Sequence, residues 1–361
     1  MLPRVLLATD IDFWNIGLGS HARVLNLLRY LAGKVDLKVV YLGAAQPAPP
    51  GLLARVGLAG KVEHLYGPNE QPGREKTLRR YADFIKSKHF DALIVEYIWL
   101  HYLLDATPAG TKTFLDTHDI MSARSESFAS NGRQNNVVVD RNTEMAIFER
   151  FDHVLMIQEE EFREVRLALG PAKPILAPHP VEAVPRSLAS RVKTIGFFAS
   201  ASPMNGDALC WFAREVWPGL ARPGLGLSVW GSFCLAPPPL PGEFRMMGPV
   251  GRVSQAYQGM DLAINPVLYG AGLKIKNVEA LGFGLPLVTT SVGAAGLSDG
   301  ANWAFAVADT PEEWLAALNR LIDDAGYRRE LADGAVKFAR ERFTEEACFG
   351  GLLRALGAVV E

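Results

Sequence analysis

Residues 265–297 read NPVLYGAGLKIKNVEALGFGLPLVTTSVGAAGL, which predicts a strand, a glycine-rich loop, a helix and another strand. The first strand ends near Pro266, and Gly270 and Gly272 open the loop. Glycines just before a helix let backbone N–H groups approach an anion, and the helix dipole favours negative charge at that end. The segment therefore predicts an anion site at the start of the helix.

Lys274, Lys276 and Glu279 fall in the first turns of this predicted helix. Cations favour the opposite end of a helix, so each lysine costs about a few tenths of a kcal/mol there. A bound phosphate would offset that cost. A solvated pair between Lys276 and Glu279, three residues apart, accounts for the pattern equally well.

Short apolar runs precede helical patterns along the whole chain, which indicates parallel sheets covered by helices on both faces. The first strand is predicted at residues 5–9, with Ser20 as N-cap of the next helix, and a long helix is predicted at 136–150. Closely spaced prolines predict a linker near residues 178–192. The pattern then restarts, so the expected fold is α/β, with two doubly wound Rossmann-like domains facing a central cleft.

The predicted domains are residues 1–182 and 183–342, followed by a helix at 343–361 that packs back across the first domain. Ligands of doubly wound folds bind at the carboxyl ends of the strands. We therefore expect the chemistry to lie in the loops that follow the strands.

Composition excludes several classes of protein. The 361 residues include 37 basic and 39 acidic side chains and carry a net charge of −2, which argues against a nucleic-acid partner. Three widely spaced cysteines fit no disulfide framework or zinc motif. No apolar run is long enough for a signal peptide or a bilayer span, so we expect a cytoplasmic protein. The basic segment 74–88 leaves peripheral contact with the inner membrane surface open.

The segment 265–297 resembles the signature of the family 4 glycosyltransferases, of the group 1 type, which are retaining enzymes with the GT-B fold. The match comprises the glycine-rich turn, Glu279 followed by Ala280, and a Gly-x-Pro stretch at Gly284, Leu285 and Pro286. Residues 196–218 also resemble the entry to the second domain of this family. The resemblance implies an acceptor-binding first domain and a nucleotide-sugar-binding second domain.

By this resemblance, Glu279 binds the ribose hydroxyls of a nucleoside diphosphate sugar, and backbone groups of the loop meet its sugar and diphosphate. Backbone groups of the loop 248–251 would contact the base. The donor-binding residues implied by the resemblance are Gly17, Gly19, Asn205, Val250, Gly251, Gly270, Gly272, Leu273, Lys274, Lys276 and Glu279. Taken alone, Gly17 and Gly19 would fit a dinucleotide site equally well, but the third glycine of that motif is replaced by Ala22.

The sequence departs from the family pattern at two places. A glutamate often precedes the conserved one by eight positions, and Ala271 stands there. The Arg and Lys that usually follow the first strand of the second domain are absent from FASASPMN at residues 198–205. Lys274 and Lys276 are predicted to supply the missing positive charge.

His118 and Asp119, in the stretch LDTHDIMSAR at 115–124, are the predicted catalytic residues, because they follow a strand and pair an imidazole with a carboxylate. A purely structural role is the alternative, with Asp119 capping the next helix and His118 bonded to a backbone carbonyl. Acidic and histidine residues show no metal-ligand spacing, so neither a metal nor another cofactor is expected.

The sequence thus predicts a retaining, hexosyltransferase-type enzyme (EC 2.4) that moves a sugar from a nucleoside diphosphate donor to a hydroxyl of a glycan or lipid-linked acceptor in polysaccharide biosynthesis. Two alternatives are a nucleotide-sugar epimerase of the same fold and a non-catalytic module that binds sugar nucleotides.

Overall fold

The computed structural model describes residues 1–15, 17–44, 47–49, 51–220 and 222–358. The chain divides into two compact units. Unit 1 comprises residues 1–122, 137–178 and 348–361, and unit 2 comprises residues 123–136 and 179–347. The last three residues of the helix predicted at 343–361 lie outside the described part of the chain.

Unit 1 contains a parallel sheet that has seven strands within the described residues, in the order β3-β2-β1-β4-β5-β6-β7. These strands are β1 Arg4–Thr9, β2 Asp36–Tyr41, β3 Val62–His64, β4 Ala92–Glu96, β5 Lys112–Asp116, β6 His153–Met156 and β7 Pro174–Leu176. The central strand β4 is buried along its whole length. Such continuous apolar runs are typical of a parallel sheet covered on both faces.

The helices of unit 1 follow the strands in the alternating order that the sequence predicts. They are α1 Gly19–Leu31, α2 Leu52–Arg55, α3 Arg74–Ile85, α5 Arg141–Glu149 and α6 Glu159–Leu169, with a 3-10 helix at Ile98–Ala106. Another helix, α4 Met121–Ser130, begins in unit 1 and continues into unit 2.

Two predicted helix starts are wrong. Ser20 is not the N-cap of α1, because the helix already begins at Gly19 and Leu18 holds the cap position without a side-chain hydrogen bond. The helix expected at 136–150 begins only at Arg141, where the Asp140 carboxylate accepts a hydrogen bond from the Thr143 N–H. An aspartate that binds the first free N–H groups is an effective start signal.

Unit 2 contains a second parallel sheet, with six strands among its described residues in the order β10-β9-β8-β11-β12-β13. They are β8 Thr194–Phe198, β9 Gly226–Trp230, β10 Arg245–Gly248, β11 Leu262–Asn265, β12 Leu287–Thr289 and β13 Ala306–Val307. The helices are α7 Pro203–Glu215, α8 Trp217–Leu220, α9 Val253–Gln258, α10 Ile275–Gly282, α11 Pro311–Asp323 and α12 Ala325–Arg342, and 3-10 turns lie at Ser232–Leu235 and Ser298–Gly300. Two Rossmann-like α/β domains are therefore present.

The last helix, α13 Glu345–Ala355, brings the carboxyl-terminal residues into unit 1. The ring of Phe349 lies 5.5 Å from that of Tyr30 on α1, and the Lys112 Nζ donates to the Ala355 carbonyl at 2.9 Å. The chain therefore returns to its first compact unit after it completes the second. Within the described residues, no helix combines the length and the apolar character that a bilayer crossing requires.

Candidate functional site

The glycine loop between β11 and α10 has the backbone conformation that its sequence suggests. Gly270 and Gly272 have φ angles of 125° and 69°, in the region that side-chain-bearing residues rarely adopt. A Cβ atom at Gly270 would also lie 2.7 Å from the Met204 sulfur. Both the backbone turn and the close packing therefore require glycine at position 270.

Lys274 holds this loop together from inside. Its Nζ donates hydrogen bonds to the carbonyl oxygens of Ala271 and Gly272, at 3.0 and 2.8 Å, and the residue is buried. Lys274 is also the N-cap residue of α10, which has no side-chain cap. Two of the three ammonium N–H groups are thus committed to the loop carbonyls, so Lys274 fixes the shape of the loop.

Lys276 and Asn205 are brought together from distant parts of the chain. The Lys276 Nζ donates to the Asn205 Oδ1 at 2.6 Å and lies 4.6 Å from the centre of the Phe197 ring. The Asn205 Nδ2 donates to the Ser200 carbonyl, which orients the amide oxygen toward the lysine. Burial, reinforced by the nearby Lys274 charge, lowers the pKa of Lys276 to about 7.

Glu279 is buried one turn further along α10. The hydroxyl of Tyr257, on α9, donates to its Oε2 at 2.8 Å, whereas its Oε1 accepts no hydrogen bond within the described residues. Burial raises the pKa of Glu279 to about 7. In the described part of the chain Lys276 and Glu279 form no direct ion pair, contrary to the solvated-pair interpretation of their spacing.

Val250 and Gly251 lie in the exposed turn between β10 and α9. Gly248, at the start of the turn, has a φ of 84°, and its carbonyl accepts a hydrogen bond from the Gly231 N–H. The short helix α9 follows this turn and carries Tyr257, whose hydroxyl donates to the Glu279 carboxylate. The helix therefore connects the turn to Glu279. The geometry suits backbone contacts rather than side-chain contacts.

A neighbour of the glycine loop that the sequence did not reveal is the segment 123–136, which belongs to unit 2. The Ser127 Oγ accepts a hydrogen bond from the Gly270 N–H at 2.8 Å, and the Phe128 ring meets Tyr269 edge-on. Arg133 makes a two-point contact with Asp207, which also accepts from the Tyr269 hydroxyl. A ligand that uses the Gly270 amide must therefore displace a serine hydroxyl.

Gly17 and Gly19 lie in unit 1, in the loop between β1 and α1. The Gly17 N–H donates to the Asn15 carbonyl, and a Cβ atom added to Gly17 would have no neighbour within 4 Å. His21, on α1, contacts both the Asn15 carbonyl and the Asp12 carboxylate. The Gly17 position is therefore not packed against other described side chains.

The predicted catalytic residues His118 and Asp119 are both buried, just beyond the end of β5. The His118 Nε2 lies 2.7 Å from the Glu96 Oε2, and its ring stacks on Tyr97 at 3.9 Å. Burial lowers the pKa of His118 to about 4, so the imidazole is neutral at pH 7. Glu96, which ends β4, is the partner that sequence spacing could not identify.

His118 and Tyr97 have φ angles of 62° and 67°, which side-chain-bearing residues rarely adopt. Such strain persists only where the surrounding structure imposes it, and it clusters at functional sites. The Tyr97 N–H donates to the Asp116 carbonyl, which ties the ends of β4 and β5 together. The strained pair therefore marks this strand edge as a candidate reaction site.

Asp116, at the end of β5, forms a fully buried ion pair with Arg23 of α1. The guanidinium donates to both carboxylate oxygens, with distances from 2.8 to 3.1 Å. Burial, together with the nearby Asp116 charge, raises the pKa of Glu96 well above its ordinary value. This edge of the sheet thus collects several carboxyl groups around a single arginine.

Three acidic and histidine side chains lie close together in space although their spacing in the sequence indicates no metal motif. Glu96, Asp116 and His118 each offer a ligand atom, and these atoms lie within 4.8 Å of one another. They belong to two adjacent strands, so linear spacing conceals them. Both Asp116 oxygens are occupied by Arg23, however, which already supplies the positive charge that a cation would provide.

Comparisons with known sequences point to glycosyltransferases. Residues 192–324, within unit 2, match the sequence model of the family "Glycosyl transferases group 1". An uncharacterized 44.6 kDa protein in the cps region of Klebsiella pneumoniae is 26% identical over 98 residues. That match spans 27% of this chain and about a quarter, 25%, of the relative.

Several solved structures share the whole fold. HepE from Anabaena in complex with UDP-glucose superposes with a TM-score of 0.74 at 15% identity, covering 98% of this chain and 99% of that one. Sucrose-phosphate synthase from Thermosynechococcus elongatus gives 0.72 at 14% identity, and the lipopolysaccharide outer core galactosyltransferase WaaB gives 0.64 at 14%; both comparisons cover 98% of each chain. The fold is therefore GT-B, and residues 192–324 carry the match to a glycosyltransferase family.

Proposed function

We propose that this protein is a retaining glycosyltransferase that binds a UDP-sugar at the glycine loop of unit 2 and transfers the sugar to a hydroxyl acceptor held by unit 1. The observation that carries the proposal is the Glu279 carboxylate, whose Oε1 accepts no hydrogen bond from the described residues, in a helix that follows a glycine loop. The UDP-glucose bound in the HepE structure supports the choice of nucleotide.

In this proposal Glu279 accepts hydrogen bonds from the ribose hydroxyls, and the turn at Val250 and Gly251 contacts the base. Lys276 leaves Asn205 and pairs with the diphosphate. This contact raises the pKa of Lys276, because an anion favours the charged amine. Lys274 positions the loop, and the amides of Gly270, Gly272 and Leu273 face the donor. Gly17 and Gly19, in unit 1, complete the proposed set of donor-binding residues.

The chemical step breaks the bond between the anomeric carbon and the diphosphate oxygen and forms a bond from that carbon to the acceptor oxygen on the same face. The acceptor proton passes to the departing diphosphate. Lys276 and the start of α10 stabilise the charge that develops on the leaving group. Neutral His118, held by Glu96, hydrogen-bonds the reacting sugar or the acceptor hydroxyl, with Asp119 beside it.

A role in polysaccharide biosynthesis follows from the relative encoded in a cps region and from the lipopolysaccharide galactosyltransferase of the same fold. The acceptor is then a glycan or a lipid-linked glycan. Two exposed cations, Arg79 on α3 and Lys86 just after it, offer peripheral contact with an anionic membrane surface. The glycosyltransferase domain favours transfer over epimerisation or binding alone.

The proposal is tested by calorimetric titration of UDP and UDP-glucose into the full chain. Glu279→Ala should weaken UDP binding about ten- to a hundredfold, because hydrogen bonds to a charged group contribute about 1.5–3 kcal/mol. Glu330→Ala, an exposed glutamate on α12, is the matched control and should bind like the wild type. Unchanged affinity in Glu279→Ala would remove this residue from the site.

A further inference from the structure

Three aromatic rings form a continuous stack at the carboxyl edge of the unit 1 sheet. Tyr97 lies 3.9 Å from Trp99, with 19° between the planes, and 3.9 Å from His118, with 16° between the planes. Trp99 and His118 are both this close and nearly parallel to the Tyr97 ring, so they cover its two opposite faces. The candidate catalytic imidazole is thus connected ring to ring with a tryptophan.

Trp99 is fixed in place at the end of this stack. Its Nε1 donates to the Asp10 Oδ2 at 2.9 Å, and Asp10 directly follows β1. The stack therefore spans the ends of three adjacent strands, β1, β4 and β5. Trp99 remains partly exposed although Tyr97 covers one of its faces, so its accessible surface lies on the other face or the rim.

The polar groups beside the stack are acceptors of hydrogen bonds. Within the described residues, the buried Asp10 Oδ1 has no hydrogen-bond partner, and neither has the Oε1 of Glu96. Burial raises the pKa of Asp10. Arg23 is engaged by Asp116, so it does not offset the charge of Asp10 directly. A phosphate or carboxylate would face the carboxyl groups of Asp10 and Glu96 here, whereas sugar hydroxyls would find their unpaired oxygens as acceptors.

From these contacts we propose that the stack Trp99–Tyr97–His118 is the binding platform for an uncharged pyranose ring, the terminal sugar of the acceptor. The C–H face of the sugar packs on Trp99, since the face of an aromatic ring is negative and attracts polarised hydrogens. A sugar hydroxyl donates to the Asp10 Oδ1, and the continuous stack sets the distance of that sugar from His118. This inference rests on the proposed transferase function and names its acceptor class.

The platform explains the strained backbone of the segment. Positive φ angles at Tyr97 and His118 turn both rings into one stack, which an ordinary backbone would not align. Buried stacking alone would not require Trp99 to stay partly exposed or an aspartate oxygen to stay unpaired. A rigid aromatic surface with one fixed polar group is what a carbohydrate site needs for orientation.

The test uses saturation-transfer NMR on the full chain with methyl α-D-glucopyranoside, methyl α-D-galactopyranoside and glucose 6-phosphate as probes. We expect transfer to the ring hydrogens of the neutral glycosides and weaker binding of the phosphate. Trp99→Leu should weaken the neutral sugars about tenfold, whereas Trp99→Phe, which keeps an aromatic face, should stay within about threefold of the wild type. Trp303→Ala, an exposed tryptophan in unit 2, is the matched control.

UDP affinity, measured by calorimetry on the same variants, separates the two proposals. Unchanged UDP binding in Trp99→Leu together with the loss of sugar binding supports the platform. Equal sugar binding in Trp99→Leu and the wild type, preferential binding of glucose 6-phosphate, or a parallel loss of UDP affinity overturns it. A wild-type protein that binds the glycosides through Trp99 but does not bind UDP contradicts the proposed function while the platform stands.

Discussion

The strand ends of unit 1 and the glycine loop of unit 2 both bury charged side chains, but they compensate the charges differently. In unit 1, Asp116 is neutralised by a buried arginine, and His118 and Glu96 share a short hydrogen bond. In unit 2, Lys276 and Glu279 rest on neutral partners, the amide of Asn205 and the hydroxyl of Tyr257.

This difference separates a structural charge from one that is available to a ligand. Breaking the Arg23–Asp116 pair leaves a charge stranded in the core, whereas Lys276 exchanges a neutral partner for an anion. The pKa values of Lys276 and Glu279, both shifted to about 7, show how weakly their charged forms are compensated without a ligand. The acid-rich aromatic edge of unit 1 suits hydroxyl groups, and the loop of unit 2 suits a diphosphate.

The largest expected effect is on folding stability. Asp116→Asn should destabilise the protein by about 3–5 kcal/mol, because it leaves the Arg23 guanidinium buried without its counter-charge. Asp207→Asn removes a carboxylate from the exposed pair with Arg133 and should barely move the urea midpoint. Urea unfolding followed by circular dichroism compares the two variants. Equal shifts would show that burial does not distinguish these ion pairs.

The next effect is on turnover. His118→Ala and Asp119→Asn should each lower kcat about 10²-fold or more and leave UDP affinity close to that of the wild type, because acid–base and electrostatic groups act mainly in the transition state. Asn preserves the size and capping ability of Asp119, so that variant isolates its charge. Initial rates with UDP-sugar and an acceptor glycan provide the measurement. Wild-type kcat in both variants would shift the assignment to the loop at Gly17 and Gly19.

The smallest effect is a pH dependence of donor binding. The pKa of Lys276 is about 7 in the free protein, so binding a diphosphate above pH 7 requires uptake of a proton. UDP affinity should therefore fall between pH 7 and pH 9, by up to about tenfold per pH unit. Lys276→Met should weaken UDP more than uridine and flatten this slope.

Calorimetry in buffers of different ionisation enthalpy detects the proton directly. Lys274→Met serves as the comparison, because its ammonium is bonded to loop carbonyls and should change the affinity without changing the proton uptake. Equal losses of UDP and uridine in Lys276→Met would mean that this lysine does not contact phosphate.

Local sequence signals were sufficient for the architecture and for part of the site. The apolar runs located most of the strands but missed β7 and β10, and the glycine pattern located the loop before α10, because both signals depend on neighbours in the chain. Ser20 failed as a cap signal because the helix had already begun at Gly19. At the other helix, the effective cap was Asp140.

These local signals could not predict contacts between residues that are distant in the sequence. Trp99 meets Asp10 across 89 positions, and Arg133 meets Asp207 across 74. Ser127 reaches Gly270 only because segment 123–136 leaves unit 1 and joins unit 2. The register of parallel strands, and not linear spacing, placed Glu96 beside His118. Sequence therefore indicated which loops hold the candidate residues but not which side chains contact them.

Hydrogen–deuterium exchange of the full chain, with and without UDP, tests whether the nucleotide binds unit 2 and not unit 1. Peptides covering 248–258 and 266–279 should become protected when UDP binds, because in the proposed complex the base turn, the glycine loop and Glu279 contact the nucleotide. Peptides covering 96–119 should exchange unchanged with UDP alone. Protection confined to 96–119, with the loop of unit 2 unaffected, would place the nucleotide on unit 1 and rule out a nucleotide site at the glycine loop.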